Sequence, residues 1–373
     1  MNLEQFDYHL PVELIAQYPA RRRSDSRMLV VYRKDGRFED SMFRRLPAYF
    51  NSGDVLVLNN SRVVPARLFG HRLGVTSRPI GKRHPKRQEY LSSEIEVLLV
   101  RPLDEHTWEA LVRPGRKVRT GERLIFGSTA AGGRNAFGKK SPRLEAEVIG
   151  RGEFGLRTLR FTAAASLAQD LDTLGHVPLP PYIRRPDEKR DRIRYQTVYA
   201  KSPGSVAAPT AGLHFTKSML AALERRGVER VEITLHVSLG TFQPIHGKDV
   251  AKHRLHPETF SVEAGAAARL NRAIEDGRRV IAVGTTTART LEHLAAQHGG
   301  RIEPMSGETE LFIQPGFPFR IIGGLLTNFH LPRTTLLMLA AAFAGRELIL
   351  AAYEHAVRER YRFYSYGDCM LIL

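Results

Sequence analysis

The sequence predicts an α/β protein: a discontinuous mixed α/β domain with a small, barrel-like all-β domain inserted into it. Three observations carry this reading. Residues 54–58 and 280–283 are short, nearly continuous apolar runs, the texture of strands covered on both faces. Amphipathic helical stretches at 217–226, 264–275 and 288–297 alternate with them. Between residues 66 and 161 that alternation stops, and five short β-like runs (94–100, 108–112, 123–126, 144–149 and 156–161) are separated by Gly and Pro turns. The α/β domain is therefore assigned to residues 1–65 and 162–373, and the insert to 66–161.

Composition agrees with two folded domains. A chain of 373 residues with 42% hydrophobic residues can bury two cores of ordinary size. The net charge of +17 is spread along the chain without a block of uninterrupted Lys and Arg, which implies a broad positive field and a polyanionic partner. A single cysteine, Cys369, rules out an internal disulfide and a thiolate metal cluster and fits a cytoplasmic protein. The first ten residues contain Glu4 and Asp7 and no apolar run, so no secretory signal is expected. The longest apolar run, 336–344, is under half of the ~20 residues a membrane span needs and reads as a buried helix.

In chain order, apolar positions Leu10, Leu14, Ile15 and Tyr18 predict a helix over residues 6–18, entered through Pro11. A basic turn carrying Arg23 and Arg27 leads to a strand at 28–32. Strand 54–58 ends in Asn59, Asn60, Ser61 and Arg62, and hydrogen-bonding side chains past a buried strand's end mark where open α/β sheets hold ligands. Two segments, 74–93 and 127–140, are too polar or Gly-rich to bury a core of their own. Gly150, Gly152 and Gly155 have the G-x-G-x-x-G spacing, but strands flank them on both sides, so the motif is a hairpin turn and not a dinucleotide site. Helical texture returns at 163–171. Prolines then hold residues 175–183 extended, and Arg184, Arg185, Lys189, Arg190, Arg192 and Arg194 follow beside Tyr182 and Tyr195. That combination suits a nucleic acid backbone with unstacked bases nearby.

The loop 205–216 is the centre of the chain's chemistry. It sets small residues, Pro209, Thr210 and Gly212 around His214, with Thr216 placed to cap the next helix. A strand at 231–237 carries His236. His253, His256 and Glu258 tempt a zinc assignment, which the spacing does not support because a helical i, i+4 pair is missing; no metal is expected. Strand 280–283 runs into Gly284, Thr285, Thr286 and Thr287, a hydroxyl-rich turn that can face an anion, and helix 288–297 follows. Asn328 and His330 precede helix 334–344, a further helix covers 346–359, and Tyr366 and Asp368 lie in an aromatic stretch before a last strand at 369–373.

Several blocks together resemble a known family. Ala207-Ala208-Pro209-Thr210-Ala211-Gly212-Leu213-His214-Phe215 is similar to the signature of the S-adenosylmethionine:tRNA ribosyltransferase-isomerases of queuosine biosynthesis. The resemblance continues through Asn59-Asn60-Ser61-Arg62-Val63-Val64-Pro65-Ala66-Arg67-Leu68, Thr234-Leu235-His236-Val237, Gly240-Thr241-Phe242-Gln243-Pro244, Val283-Gly284-Thr285-Thr286, Phe312-Ile313-Gln314-Pro315-Gly316-Phe317, Leu326-Thr327-Asn328-Phe329-His330-Leu331-Pro332 and Tyr361-Arg362-Phe363-Tyr364-Ser365-Tyr366-Gly367-Asp368, in the family's order and nearly end to end.

The resemblance implies an enzyme that transfers and isomerises the ribosyl group of S-adenosylmethionine onto a 7-aminomethyl-7-deazaguanine in a tRNA anticodon arm; a monomer is expected, though nothing in the sequence fixes the oligomeric state. S-adenosylmethionine is then a substrate, and no cofactor is expected. Within that frame His214, His330 and Asp368 are the candidate acid-base groups, with His214 as the base. Arg27, Asn59, Arg62, Pro209, Thr210, Gly212, His236, Thr285, Thr286, Asn328 and Tyr366 are the candidate substrate contacts. The alternatives are a non-catalytic RNA-binding protein, which explains the charge alone, and a methyltransferase, which lacks the Gly-rich loop and acidic partner expected after a first strand.

Overall fold

The computed structural model describes residues 3–73, 93–127, 143–152, 155–162, 166–237, 255 and 257–373. The polar segments 74–93 and 127–140 lie almost wholly outside these residues, as do His253, His256 and the block 240–244. Two compact units emerge. One comprises Met1–Arg62 and Pro180–Leu373, the other Val63–Leu179.

The first unit is built on a mixed sheet in which, among the described residues, nine strands are hydrogen-bonded in a row. From one edge to the other they are Met305–Thr309, Glu258–Val262, Glu229–Leu235, Val55–Asn59, Val280–Val283, Ile322–Asn328, Cys369–Ile372, Arg27–Val31 and Phe38–Met42. The middle four, from Glu229–Leu235 to Ile322–Asn328, run parallel. Alternation along each central strand splits the core in two. Val55, Val57 and Ala282 face the side covered by helices Ala264–Glu275, Thr285–Gln297, Thr335–Ala344 and Arg346–Arg358. Leu56, Leu58, Ile281 and Val283 face Phe43, Phe215, Leu220 and Leu223. Both faces are covered, which is why these strands read as unbroken apolar runs.

Helix Lys217–Arg225 starts as its cap predicts, the Thr216 hydroxyl accepting the backbone N–H of Met219 at 3.1 Å. Helix Thr335–Ala344 is almost entirely buried, and no single helix among the described residues is long and apolar enough to cross a membrane.

The helix expected over residues 6–18 does not form. Leu3–Phe6 and Val12–Leu14 are single 3₁₀ turns, and Ile15 lies alongside Phe363 in a parallel bridge, with Phe363 N–H donating to Leu14 O at 2.8 Å. The apolar spacing there records contacts of an extended chain with the C-terminal block, so tertiary packing overrides local period. Strands Phe38–Met42, Glu258–Val262 and Met305–Thr309 had no clear signal, because they lie at or beside the sheet's edges and carry polar residues on their open faces.

The second unit is a closed antiparallel barrel of six strands among the described residues, in the order Leu156–Thr162, Thr107–Arg113, Ile95–Pro102, Arg67–Arg72, Arg123–Gly127 and Arg143–Arg151. Val97, Leu99, Leu124, Phe126, Leu144, Val148 and Leu159 fill it, alternating with outward polar residues. Strands Arg143–Arg151 and Leu156–Thr162 pair antiparallel, Arg151 opposite Arg157, across the predicted hairpin. The unit extends to Leu179, past the expected boundary at 161. Arg67 and His176 exchange backbone hydrogen bonds of 3.2 and 2.7 Å, and the Arg67 guanidinium donates to Leu179 O at 2.9 Å, so helix Leu167–Leu174 and the start of the proline segment belong with the barrel.

Candidate active site

The parallel strands of the first unit end at Asn59, Leu235, Val283 and Asn328, and a cleft opens past their carboxyl ends. Its walls come from four stretches far apart in the chain: Ala208 to Ala211, Gly284 to Thr286, Thr327 to Leu331, and Tyr364 with Ser365. Of the candidate residues, Pro209, Thr210, Thr285, Thr286, Asn328 and His330 line it.

The Gly284–Thr286 wall is a helix entrance. Gly284 takes φ +93° and serves as N-cap of helix Thr285–Gln297 without any side-chain cap. The helix therefore begins three residues earlier than the apolar period indicated. Its first intrahelical bond is Ala288 N–H to Gly284 O, which leaves the N–H groups of Thr285, Thr286 and Thr287 without intrahelical partners. The Thr287 hydroxyl donates back to Val283 O at 2.7 Å, whereas those of Thr285 and Thr286 make no such bond. Together they form a positive helix end lined with hydroxyls, suited to a carboxylate.

His330 also lines the cleft, in the stretch that follows the neighbouring strand Ile322–Asn328. Its backbone N–H donates to the Tyr353 hydroxyl at 3.0 Å, and its carbonyl accepts from Tyr8. Nε2 is 2.8 Å from Thr327 Oγ1, and Nδ1 makes no hydrogen bond among the described residues. Burial pushes the imidazole's pKa down to about 3, so the ring is neutral at neutral pH. Beside it Tyr364 has φ +72°, an uncommon conformation for a bulky residue, and it stacks on Tyr182 at 3.9 Å between centroids.

His214 does not reach the cleft wall. It is 3% exposed, packs on Phe43, and has both ring nitrogens engaged, Nδ1 with Ser26 Oγ at 2.9 Å and Nε2 with Asn328 Nδ2 at 3.3 Å. Asn328 Nδ2 also donates to Tyr364 O at 3.1 Å and Asp368 O at 3.3 Å. Turning the amide over would set its oxygen against two carbonyls, so the nitrogen faces them; its two hydrogens are shared among three acceptors, and because an amide nitrogen accepts no hydrogen bond, His214 Nε2 is the accepting side of their contact. The proton then sits on Nδ1 and is donated to Ser26. Burial, then the charges of Arg362 and Arg23, hold the His214 pKa down at about 3. Asn328 Oδ1 is left buried with no hydrogen-bond partner among the described residues, on a residue that lines the cleft.

Other candidates are engaged within the fold. Asn59 Oδ1 accepts the N–H of Ser61 and of Leu235, each at 3.0 Å, and its Nδ2 donates to Leu235 O at 2.8 Å, so the side chain staples two strand ends. Gly212 is there for packing: a Cβ would lie 2.1 Å from the Tyr199 hydroxyl. The Arg27 guanidinium lies 3.7 Å from the Tyr361 ring centroid and donates to Glu359 O at 2.6 Å. Asp368 is buried and accepts the backbone N–H groups of Arg27 and Arg362 at 2.9 and 2.8 Å; burial raises its pKa. Tyr366 donates to Asp191 at 2.7 Å. The half-buried His236 ring rests against Gly204, Arg62 is exposed, and neither lines the cleft. Glu258, weighed as a metal ligand, is paired with the buried Arg289. Sequence reasoning missed Thr327, Thr334, Tyr364 and Ser365 on the walls; most belong to motif blocks in which a neighbour drew attention instead.

A mixed α/β domain with its cleft at the strand ends, joined to a six-stranded barrel, is the class of protein these features define. Residues 3–372 match the family described as queuosine biosynthesis protein, and the chain belongs to it. It is 55% identical to the S-adenosylmethionine:tRNA ribosyltransferase-isomerase of Solibacter usitatus and 47% identical to that of Carboxydothermus hydrogenoformans, over the full length of each chain. A crystal structure of S-adenosylmethionine tRNA ribosyltransferase from Thermotoga maritima is 37% identical, with a TM-score of 0.52 and coverage of 99% of this chain and 100% of that one.

Proposed function

We propose that this chain is a cytoplasmic S-adenosylmethionine:tRNA ribosyltransferase-isomerase, which moves the ribosyl group of S-adenosylmethionine onto the aminomethyl group of a 7-deazaguanine at the tRNA wobble position and releases adenine and methionine. One observation carries this reading. Four of the blocks that resemble the family, separated by up to about 150 residues, converge on a single cleft.

The groups available there match the demands of the chemistry. The carbon beside the sulfonium must lose a proton, with the electron pair kept on carbon next to the positive sulfur. His330 Nδ1, neutral and without a hydrogen-bond partner among the described residues, is the acceptor we assign in place of His214. The entrance of helix Thr285–Gln297 holds the methionine carboxylate through backbone N–H groups and the Thr285 and Thr286 hydroxyls. Asn328 Oδ1 takes a hydrogen bond from an N–H or O–H of the substrate, and His214 acts behind it by holding the amide in place.

The test is incubation with labelled S-adenosylmethionine and a tRNA carrying the deazaguanine. Adenine release is expected; S-adenosylhomocysteine would make the protein a methyltransferase, and tight tRNA binding without turnover a non-catalytic binder.

A further inference from the structure

Resting on that reading, a second surface of the first unit bears on how the tRNA is held. Residues 17–23 and 182–194 are locked side by side by buried or half-buried guanidinium groups. Arg23 donates to Leu213 O at 2.9 Å and Ile193 O at 2.7 Å, and Arg194 to Ala20 O at 2.6 Å and Arg21 O at 3.0 Å. Arg185 donates to Gln17 O at 2.9 Å and grips the fully buried Asp191 with two bonds of 2.7 and 2.9 Å. These three cations therefore build the surface. Arg21, Arg22, Arg184 and Arg190 remain exposed on it, the last beside Glu188 at 2.7 Å.

Two apolar groups stand among them. Ile193 is 71% exposed, the most exposed large hydrophobic residue among those described, and its backbone is fixed by the bond to Arg23. Tyr18 is 44% exposed, with the guanidinium carbons of Arg185 and Arg190 over its ring at 4.3 and 4.6 Å. A lone exposed isoleucine needs no explanation. A rigid aliphatic tip and an arginine-aromatic stack within one cluster of cations form the combination that holds a single-stranded nucleic acid, phosphates on the cations and unstacked bases on the apolar faces. The surface also leads to the cleft. Gln17 donates to Tyr182 O at 2.9 Å, and Tyr182 stacks on Tyr364, a cleft wall. Tyr182 and Tyr195 themselves, expected to meet bases, are buried or half-buried.

We propose that this surface binds the anticodon-loop strand next to the nucleotide that enters the cleft, with Arg21, Arg22 and Arg184 on its phosphates and Ile193 and the Tyr18 stack against neighbouring bases. The two kinds of contact differ in salt dependence, and full-length protein with precursor tRNA, titrated between 50 and 200 mM salt, separates them. Arg21→Gln and Arg184→Gln should each flatten the slope of log Kd against log salt by roughly 0.7. Ile193→Ser should weaken binding about five-fold at every salt concentration and leave the slope alone. All three should raise the KM for tRNA without changing that for S-adenosylmethionine. Wild-type Kd and slope in all three variants, with adenine release intact in the parent, would overturn the proposal. So would an equal flattening by Arg301→Gln, beyond the C-terminal end of helix Thr285–Gln297, because the effect would then be one of total charge. Weakened tRNA binding in the three variants of a protein that releases no adenine would support this surface while removing the enzymatic reading beneath it.

Discussion

His214 and Asn328 meet inside the protein, ring nitrogen to amide nitrogen at 3.3 Å, and the direction of that hydrogen bond determines the role of each. His214 accepts, Asn328 donates, and the amide oxygen is left buried without a hydrogen-bond partner among the described residues. A histidine whose two nitrogens are both engaged can hold a neighbour in place, and one with an unengaged nitrogen can take a proton. The proposed function divides these roles between His214 and His330.

His330→Gln should therefore lower turnover by ~10²–10⁴ while binding of S-adenosylmethionine and tRNA changes little. Single-turnover rates measured beside binding constants check this, and near-normal turnover would remove His330 as the proton acceptor. His214→Gln should reduce both stability and substrate affinity, because it loosens Asn328 without removing the acceptor.

Thr285→Val and Thr286→Val should raise the KM for S-adenosylmethionine several-fold at nearly unchanged melting temperature. Thr287→Val, which loses the bond to Val283 O, is the matched control: about 1 kcal/mol of stability lost and KM unchanged. Equal KM effects at all three positions would argue against the helix entrance as the carboxylate site.

Asn59→Ala should destabilise the protein by roughly 2–4 kcal/mol, since three buried hydrogen bonds disappear and backbone groups of Leu235 and Ser61 lose their partners. The folded fraction should keep its kinetic constants. A stable variant with a raised KM would return Asn59 to the list of substrate contacts.

Gly212→Ala should cost about 1–3 kcal/mol by driving a methyl group against the Tyr199 hydroxyl. Tyr199→Phe in the same chain should recover part of that loss, which denaturant titration of the two variants will measure. No recovery would mean that the contact with Thr197, at 2.9 Å, sets the limit.

Acid should destabilise the fold. His214 and His330 are both held at about 3, against 6.5 for a free imidazole, so between those values the unfolded chain binds protons that the folded chain refuses. Their contribution is complete above pH 6.5 and is lost as pH falls toward 3. At pH 5 it is smaller by roughly 2 kcal/mol per histidine, or a melting temperature lower by ~5–15 °C than at pH 7. Asp368 works in the opposite sense at the acid end, since burial raises its pKa above 3.8 and the folded chain keeps that proton longer. The double variant His214→Gln, His330→Gln should flatten the pH dependence; an unchanged profile would show that other groups cause it.

The central sheet strands, the Thr216 cap, the inserted barrel and the family were legible in the sequence because each depends on local pattern: apolar runs, turn residues and contiguous motif blocks. So were Pro209, Thr210, Thr285, Thr286, Asn328 and His330 as cleft residues, which follow the ends of buried strands or lie in the central loop. Local pattern could not separate His214 from His330, since both sit in motif loops beside buried elements. Only the packed structure places Ser26 and Asn328, 188 and 114 residues from His214 in sequence, against its two nitrogens and leaves His330 Nδ1 without a partner among the described residues. The same holds for Asn59 and Arg27, whose polar groups are engaged by residues brought near by the fold. A residue's type sets what bonds it can form, but which of them remain available for a substrate depends on long-range contacts that the fold alone creates.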